Sequence, residues 1–352
     1  MKLITVVMPV YNGELHLPAA IESILGQSAD DFELIIVDDG STDRTLEVIR
    51  GYHDRRVHLL VNPTNVGVTA SLNRGLDAAQ GVYVARMDAD DVSLPDRFAK
   101  QVAFLDGHPE IGVCSGGIQG IGVGEGRLWI PPSDHDTIAC YLLFDSAFPH
   151  PCTMLRTAVL RRFGLRYDAT YPYAQDYDLW SRCAAVTRFH NLPEALLLYR
   201  RHAASVTEAH AATQRACADR VRRRWLGALG IAPTSAEESL HYDVGHARGA
   251  SAEGHLEAVE RWLRRLLEGN RRTRLLAEGA LRPVLADLWR DAGRFVADQG
   301  RWTGGRLFFS SLTGQLDLTR VKRLELLSTG IRAGLRARLS RSGAGRRPRG
   351  GA

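Results

Sequence analysis

Residues 33–45 read ELIIVDDGSTDRT. The apolar run Glu33–Asp38 stops at an acidic pair followed by turn-forming residues, the pattern of a buried strand ending at a loop. Working outward, Leu3–Met8 (bounded by Pro9), Val57–Val61 and Val82–Met87 read as three more strands. Helical stretches lie between them, at roughly Glu14–Gln27, Asp43–Tyr52 and Val68–Ala79. Ser41 or Thr42 is placed to cap the second helix, and Thr64 or Asn65 lies near the start of the third. Apolar strands alternating with helices predict βαβ units and a parallel sheet. Right-handed crossovers then bring the loops after the strands to one edge, where open α/β sheets bind ligands. That edge collects Pro9-Val10-Tyr11-Asn12, Asp38-Asp39-Gly40-Ser41 and Asp88-Ala89-Asp90-Asp91.

The chain of 352 residues is 45% hydrophobic and 24% charged, ordinary globular usage for two domains or one with an appendage. It has no apolar run of about 18 residues, so no transmembrane helix is expected. The N-terminus lacks the basic and small-residue features of a signal peptide. Cys114, Cys140, Cys152, Cys183 and Cys217 are scattered and form no CxxC, consistent with a reducing cytosol. Residues 1–210 hold 18 Lys and Arg against 26 Asp and Glu, whereas 211–352 hold 27 against 14. Opposite polarity suggests different tasks for the two parts. Over 111–205 the pattern loosens into short strands, prolines and two further helices. Gly120, Gly122, Gly124 and Gly126 match neither GxGxxG nor a P-loop, and read as a hairpin or surface loop. Beyond Ala209 the chain is helix-like, with 3.6-residue spacing over His255–Glu268 and Leu281–Val296.

Acidic groups crowded at adjacent strand ends repel unless neutralised, and Mg²⁺ or Mn²⁺ prefers such oxygen ligands. Asp88 and Asp90 could share such an ion. The competing reading is that Asp90-Asp91 caps a helix near Leu94-Pro95.

Taken together, VVMPVYN (6–12), ELIIVDDGSTDRT (33–45) and NVGVTASLNRGLDAAQGVYVARMDADD (65–91) resemble the family 2 glycosyltransferases with the GT-A fold. The resemblance is dense over 3–105 and weaker to about 202; the C-terminal part lies outside it. It implies a GT-A α/β fold with a Rossmann-like, mostly parallel sheet and a C-terminal helical extension. The expected organisation is a catalytic domain at 1–210, a helical appendage at 211–340 and a disordered basic tail at 341–352. By resemblance, Asp39 reads the uracil ring of a donor, and Pro9 and Tyr11 edge the nucleotide pocket. Arg74 lies near the nucleotide, Asp88 contacts ribose or metal, and Asp90 ligates the metal. In Ala174-Gln175-Asp176-Tyr177-Asp178-Leu179-Trp180, Asp176 falls at the position of the base, with Gln175 in place of the more usual Glu. Asp176, Leu179 and Trp180 share a helix face; core packing is the stronger reading for Trp180. His150 is an acceptor-side candidate. His202 is a candidate for the diphosphate, against a solvated basic turn.

The implied activity is inverting, Mn²⁺- or Mg²⁺-dependent transfer of a sugar from a UDP-sugar donor to a hydroxyl of a glycan or lipid-linked acceptor. A non-catalytic nucleotide-sugar-binding or scaffold protein is the alternative. A nucleotidyltransferase is disfavoured, because MPVYNGELH carries no Gly-rich basic loop. Residues 320–352 hold ten Lys and Arg against Glu325. Val321–Leu339 could form a basic amphipathic helix lying on an anionic membrane surface, or one packed on its own protein. That would suit a cytoplasmic enzyme, peripheral on the inner face of the membrane. Nucleic acid is not an expected partner, since the basic region lacks interleaved aromatics.

Overall fold

The computed structural model describes residues 3–122, 125–201, 210–248, 254–298, 312, 315 and 316. The chain divides into two compact units, 1–221 and 222–352. The division falls inside the helix Ala211–Ala228.

In the first unit, β1 (Ile4–Val10) and β2 (Phe32–Asp38) are buried along their whole lengths. This is why their sequences run apolar instead of alternating. β2 pairs in parallel with β1 and with β3 (Val57–Val61), and β1 pairs in parallel with β4 (Tyr83–Arg86). Val10 lies opposite Asp38, and Asp38 opposite Val61, so the three strands end level. The crossovers are α1 (Leu17–Leu25), α2 (Thr45–Arg50) and α3 (Val68–Ala78).

All three helices occur where expected, but the first two are shorter. The loop after β1 explains α1. Asn12 adopts a positive φ of 51°, and its backbone N–H donates to Ser41 Oγ. Gly13 N–H donates to Thr45 Oγ1, and Glu14 N–H to Asp43 Oδ2. These bonds tie residues 12–14 to the loop after β2, so the helix begins only at Leu17. Neither Ser41 nor Thr42 caps α2. No side chain caps α2, whose N-cap is Arg44; Asp43 accepts from Thr45 N–H at 3.0 Å in the turn before it, and Ser41 serves the β1 loop. Gly40 sits in the left-handed region (φ 72°), and a Cβ there would lie 2.6 Å from the Thr64 carbonyl carbon. Gly40→Ala should therefore cost about 2 kcal/mol or more, read as a lower urea midpoint; an unchanged midpoint would contradict this close approach.

Beyond β4 the chain forms β5 (Val92–Ser93), α4 (Arg97–Gly107), β6 (Ile111–Gly122), β7 (Leu128–Trp129) and α5 (His135–Tyr141). A 3₁₀ turn (His150–Cys152) leads into β8 (Met154–Arg156), α6 (Thr157–Arg162), α7 (Gln175–Cys183) and β9 (Arg188–Arg201). The sheet order is β3-β2-β1-β4-β8-β6-β9-β5, with β7 on β6. β8 joins β4 and β6 antiparallel, whereas β9 pairs in parallel with β6. Within 111–205 the short strands expected there, β7 and β8, stand beside two long ones, β6 with 12 residues and β9 with 14, and the helices are three, α5, α6 and α7, where two were expected. The two long strands are broken by register shifts near Gly116 and Gly117, which is why local periodicity fades. At the end of β6, Gly126 N–H donates to Gly120 O, and β7 pairs antiparallel with β6.

The next helix is α8 (Ala211–Ala228). In the second unit, α9 (Ser235–Gly245) starts with a capping box of Thr234 and Glu237. α10 (His255–Thr273) buries Val259, Trp262, Leu263, Leu266 and Leu267 and packs against α9 and α11 (Glu278–Asp298). Among the described residues, no helix is long and apolar enough to cross a membrane. The basic helix expected at 321–339, the tail at 341–352 and His202 lie outside the described residues.

Candidate active site

The loop after β2 carries the first cluster. Asp39 is buried, and its N–H donates to Val10 O at 2.8 Å. Its Oδ1 accepts from Asn62 Nδ2 (2.7 Å) and Val66 N–H (3.0 Å), and its Oδ2 from Gly67 N–H (2.8 Å). Val66 and Gly67 open α3, so a carboxylate sits at the positive end of that helix. Each carboxylate oxygen can accept about two hydrogen bonds, which leaves a position on Oδ2. Asn62 also donates to Ser71 Oγ, and its Oδ1 accepts from Arg74, whose Nη1 also reaches Val61 O at 2.7 Å. Asp39, Asn62 and Arg74 thus form one polar network. Pro9 is buried in β1, and the Tyr11 ring just beyond is 49% exposed, a free aromatic face at the same edge.

Beyond β4, Asp88, Asp90 and Asp91 each present a carboxylate oxygen within 4.8 Å of the others. Asp91 does not cap a helix. Its Oδ1 accepts from Arg200 N–H on β9 at 2.7 Å, and Arg200 Nε donates to Asp90 O. Helix α4 starts later, at Arg97, with no side-chain cap. Asp91 Oδ2 is buried and has no hydrogen-bond partner. Arg86 pairs with Asp88. Burial pushes the Asp88 carboxyl up against the pull of Arg86, with the Asp90 charge adding to the rise. Asp91 is pushed well up by burial and by both neighbouring carboxylates. Burial and the same three charges push the Tyr199 hydroxyl up to about 12. Three crowded carboxyls sharing one paired arginine, in an all-oxygen donor set with an orphaned buried oxygen, fit a hard divalent cation.

Asp176 lies in the first turn of α7, half-buried. Burial pushes it up to about 6. The Asp145 charge adds to the rise, and the Tyr177 N–H and Arg86 oppose it. A carboxyl poised there can take a proton near neutral pH. Asp178, on another face, is buried and pairs with Arg182 at 2.7 Å. Trp180 is fully buried and packs on Phe148 and His150, so it is core. His150 is 8% exposed, with Nε2 2.8 Å from the Tyr167 hydroxyl. Burial and Arg86 hold its pKa well below the usual value, so the ring is neutral and lies inside the wall of the site. Arg86 and Tyr167 each feel both the carboxylate cluster and Asp176 electrostatically.

Residues 5–163 match the family described as Glycosyl transferase family 2. An uncharacterised glycosyltransferase of Haemophilus influenzae is 32% identical over 245 residues, covering 65% of this chain and 76% of that protein. The chain belongs to glycosyl transferase family 2. The amylovoran biosynthesis glycosyltransferase AmsE of Erwinia amylovora is 30% identical over 205 residues, 56% of this chain and 76% of AmsE. Among solved structures, S. aureus TarS 1–349 in complex with UDP-GlcNAc superposes with a TM-score of 0.54 at 20% identity, covering 97% of this chain and 92% of that one. The fold is the GT-A fold, and this family 2 member is a glycosyltransferase.

Two residues of the site escaped the sequence reading. Asp91 was visible as the third acid of DADD, but a helix-capping role competed for it. Arg86 was read only as part of a strand. A cation inside a buried strand that runs into three carboxylates is itself a signal, since an isolated buried charge is costly.

Proposed function

We propose that this family 2 enzyme transfers a sugar from a UDP-sugar to a hydroxyl of a glycan or lipid-linked glycan, with inversion at the anomeric carbon. The observation that carries the reading is the pairing of an oxygen-rich cluster, Asp88, Asp90 and Asp91, with a separate carboxyl, Asp176, pushed up to about 6. The two functions that a single displacement needs are then on different residues. Asp39, with Arg74 and Asn62 behind it, offers an acceptor to a base-ring N–H, and Tyr11 offers a stacking face. Asp88, Asp90 and Asp91 would hold Mn²⁺ or Mg²⁺, which when bound supplies positive charge to stabilise a diphosphate leaving group. Asp176 takes the proton of the acceptor hydroxyl as that oxygen attacks, and no covalent enzyme intermediate forms. His150, through Tyr167, supports the wall from within rather than touching the acceptor. The names of AmsE and of the TarS complex support glycan assembly and a nucleotide-sugar donor.

The test is release of nucleoside diphosphate from a panel of nucleotide sugars with Mn²⁺. Slow hydrolysis of one UDP-sugar, lost on chelation, is the expected result. Tight donor binding with no turnover, even with a glycan-lipid extract, would favour the non-catalytic alternative.

A further inference from the structure

Helix α7 begins directly after Ala174, a non-glycine residue in the left-handed region at φ 61°. No side chain caps this end. The turn that presents Asp176 is therefore costly in itself and must be held by its neighbours. Two helices hold it from different parts of the chain.

From α3, Asn73 Nδ2 donates to Tyr167 O (2.8 Å), and Tyr167 N–H donates back to Asn73 Oδ1 (3.0 Å). One turn earlier on the same face, Thr69 Oγ1 donates to Tyr171 O at 3.2 Å. From α8, the Arg220 guanidinium lies 4.1 Å from the Tyr171 ring centroid. Its Nη1 donates to Thr170 O at 2.7 Å, and its Nη2 lies 3.3 Å from Thr170 Oγ1. His210 stacks on Tyr173 with ring centroids 4.6 Å apart and planes at 17°. Arg220 is an exposed residue. An exposed arginine ordinarily keeps its rotamer freedom. Three directed contacts to one short segment make it a restraint on that segment.

We propose that Asn73 and Arg220 are positioning residues that clamp 167–173 between α3 and α8 and so aim Asp176 at the acceptor hydroxyl. The proposal rests on the reading of Asp176 as the base. It gives α8, which lies outside the family match at 5–163, a part in the transfer. It also ties the base to the nucleotide side, because α3 is the helix whose first N–H groups Asp39 holds.

The geometry has a consequence in pH. The groups that face Asp176 are the Asp145 and Arg86 charges and the Tyr167 hydroxyl of the clamped segment, and burial is the largest influence. A loosened clamp admits water, weakens the burial effect and lets the carboxyl fall toward its ordinary value. A residue that merely supports the fold would leave that limb of the pH profile in place.

The experiment uses the full chain and its hydrolysed donor, and compares Arg220→Gln, Arg220→Lys, Asn73→Ala and Asp176→Asn with wild type. Arg220→Gln and Asn73→Ala should lower kcat about tenfold with donor KM within about twofold. Both should move the acid limb to lower pH. Arg220→Lys should not rescue, because an ammonium lacks the planar two-donor fork. Amide exchange over 170–178 should quicken in Arg220→Gln. If Asp176→Asn is inactive while Arg220→Gln keeps wild-type kcat, acid limb and exchange, the clamp is overturned and the base reading stands. If Asp176→Asn keeps full turnover, the base reading falls and takes the clamp with it.

Discussion

Asp176→Asn is expected to abolish turnover while leaving donor binding intact. The amide has the shape of the carboxylate but cannot accept the acceptor's proton. Loss of general base catalysis typically costs on the order of 10² to 10⁴ in rate. In the wild type, activity should fall as pH drops through about 6, where burial places this carboxyl. The same shift has a stability side. A folded-state pKa above the ordinary carboxylate value means that the folded protein binds the proton more tightly. This contribution is present at low pH and is lost as pH rises through about 6. Asp176→Asn should therefore unfold at a higher temperature than wild type at pH 8, with the difference shrinking toward pH 4. Activity lost and stability gained in one variant is the signature of a group held in an unfavourable place for function. A kcat within about threefold of wild type would sink the assignment.

Asp91→Asn carries the second large effect. The substitution keeps an oxygen to accept from Arg200 N–H, so the junction with β9 is preserved. It replaces the buried, unpartnered Oδ2 side with an amide nitrogen, which cannot ligate a hard cation. Mn²⁺ affinity, measured by titration calorimetry on the donor-free protein, should fall on the order of 100-fold, and turnover with it. Unchanged Mn²⁺ binding would confine the site to Asp88 and Asp90 and leave Asp91 a structural link to β9.

The two halves of the catalytic unit were unequally legible. β1 to β4 and their helices could be read because each strand is apolar and each crossover is local. The acids at their ends follow from topology alone, which brings Asp39, Asp88 and Asp90 to one edge of the sheet. The second half depends on pairing at a distance. β9 lies in parallel beside β6, with register shifts at glycines, and no local period records that. The role of Asp91 is fixed by a backbone group 109 residues away, which no window of sequence contains. Asp176 could be found only through the resemblance. Its surroundings, a left-handed Ala174 and a clamp from α3 and α8, are invisible in the motif itself. The helix caps failed for a simpler reason. Several Ser, Thr and Asp side chains compete for the same N–H groups around 12–14 and 41–45, and the sequence does not rank them.

The bond from Arg200 to Asp91 also sets a timetable. A chain growing from its N-terminus has made its carboxylate trio long before it has made the strand that anchors the third member. While that strand is still inside the ribosome, Asp91 is a loose acid on an unfinished edge. Avid capture of a divalent ion should appear only after β9 has emerged and docked. Metal uptake in stalled nascent chains of increasing length would then switch on late, marking completion of the catalytic unit.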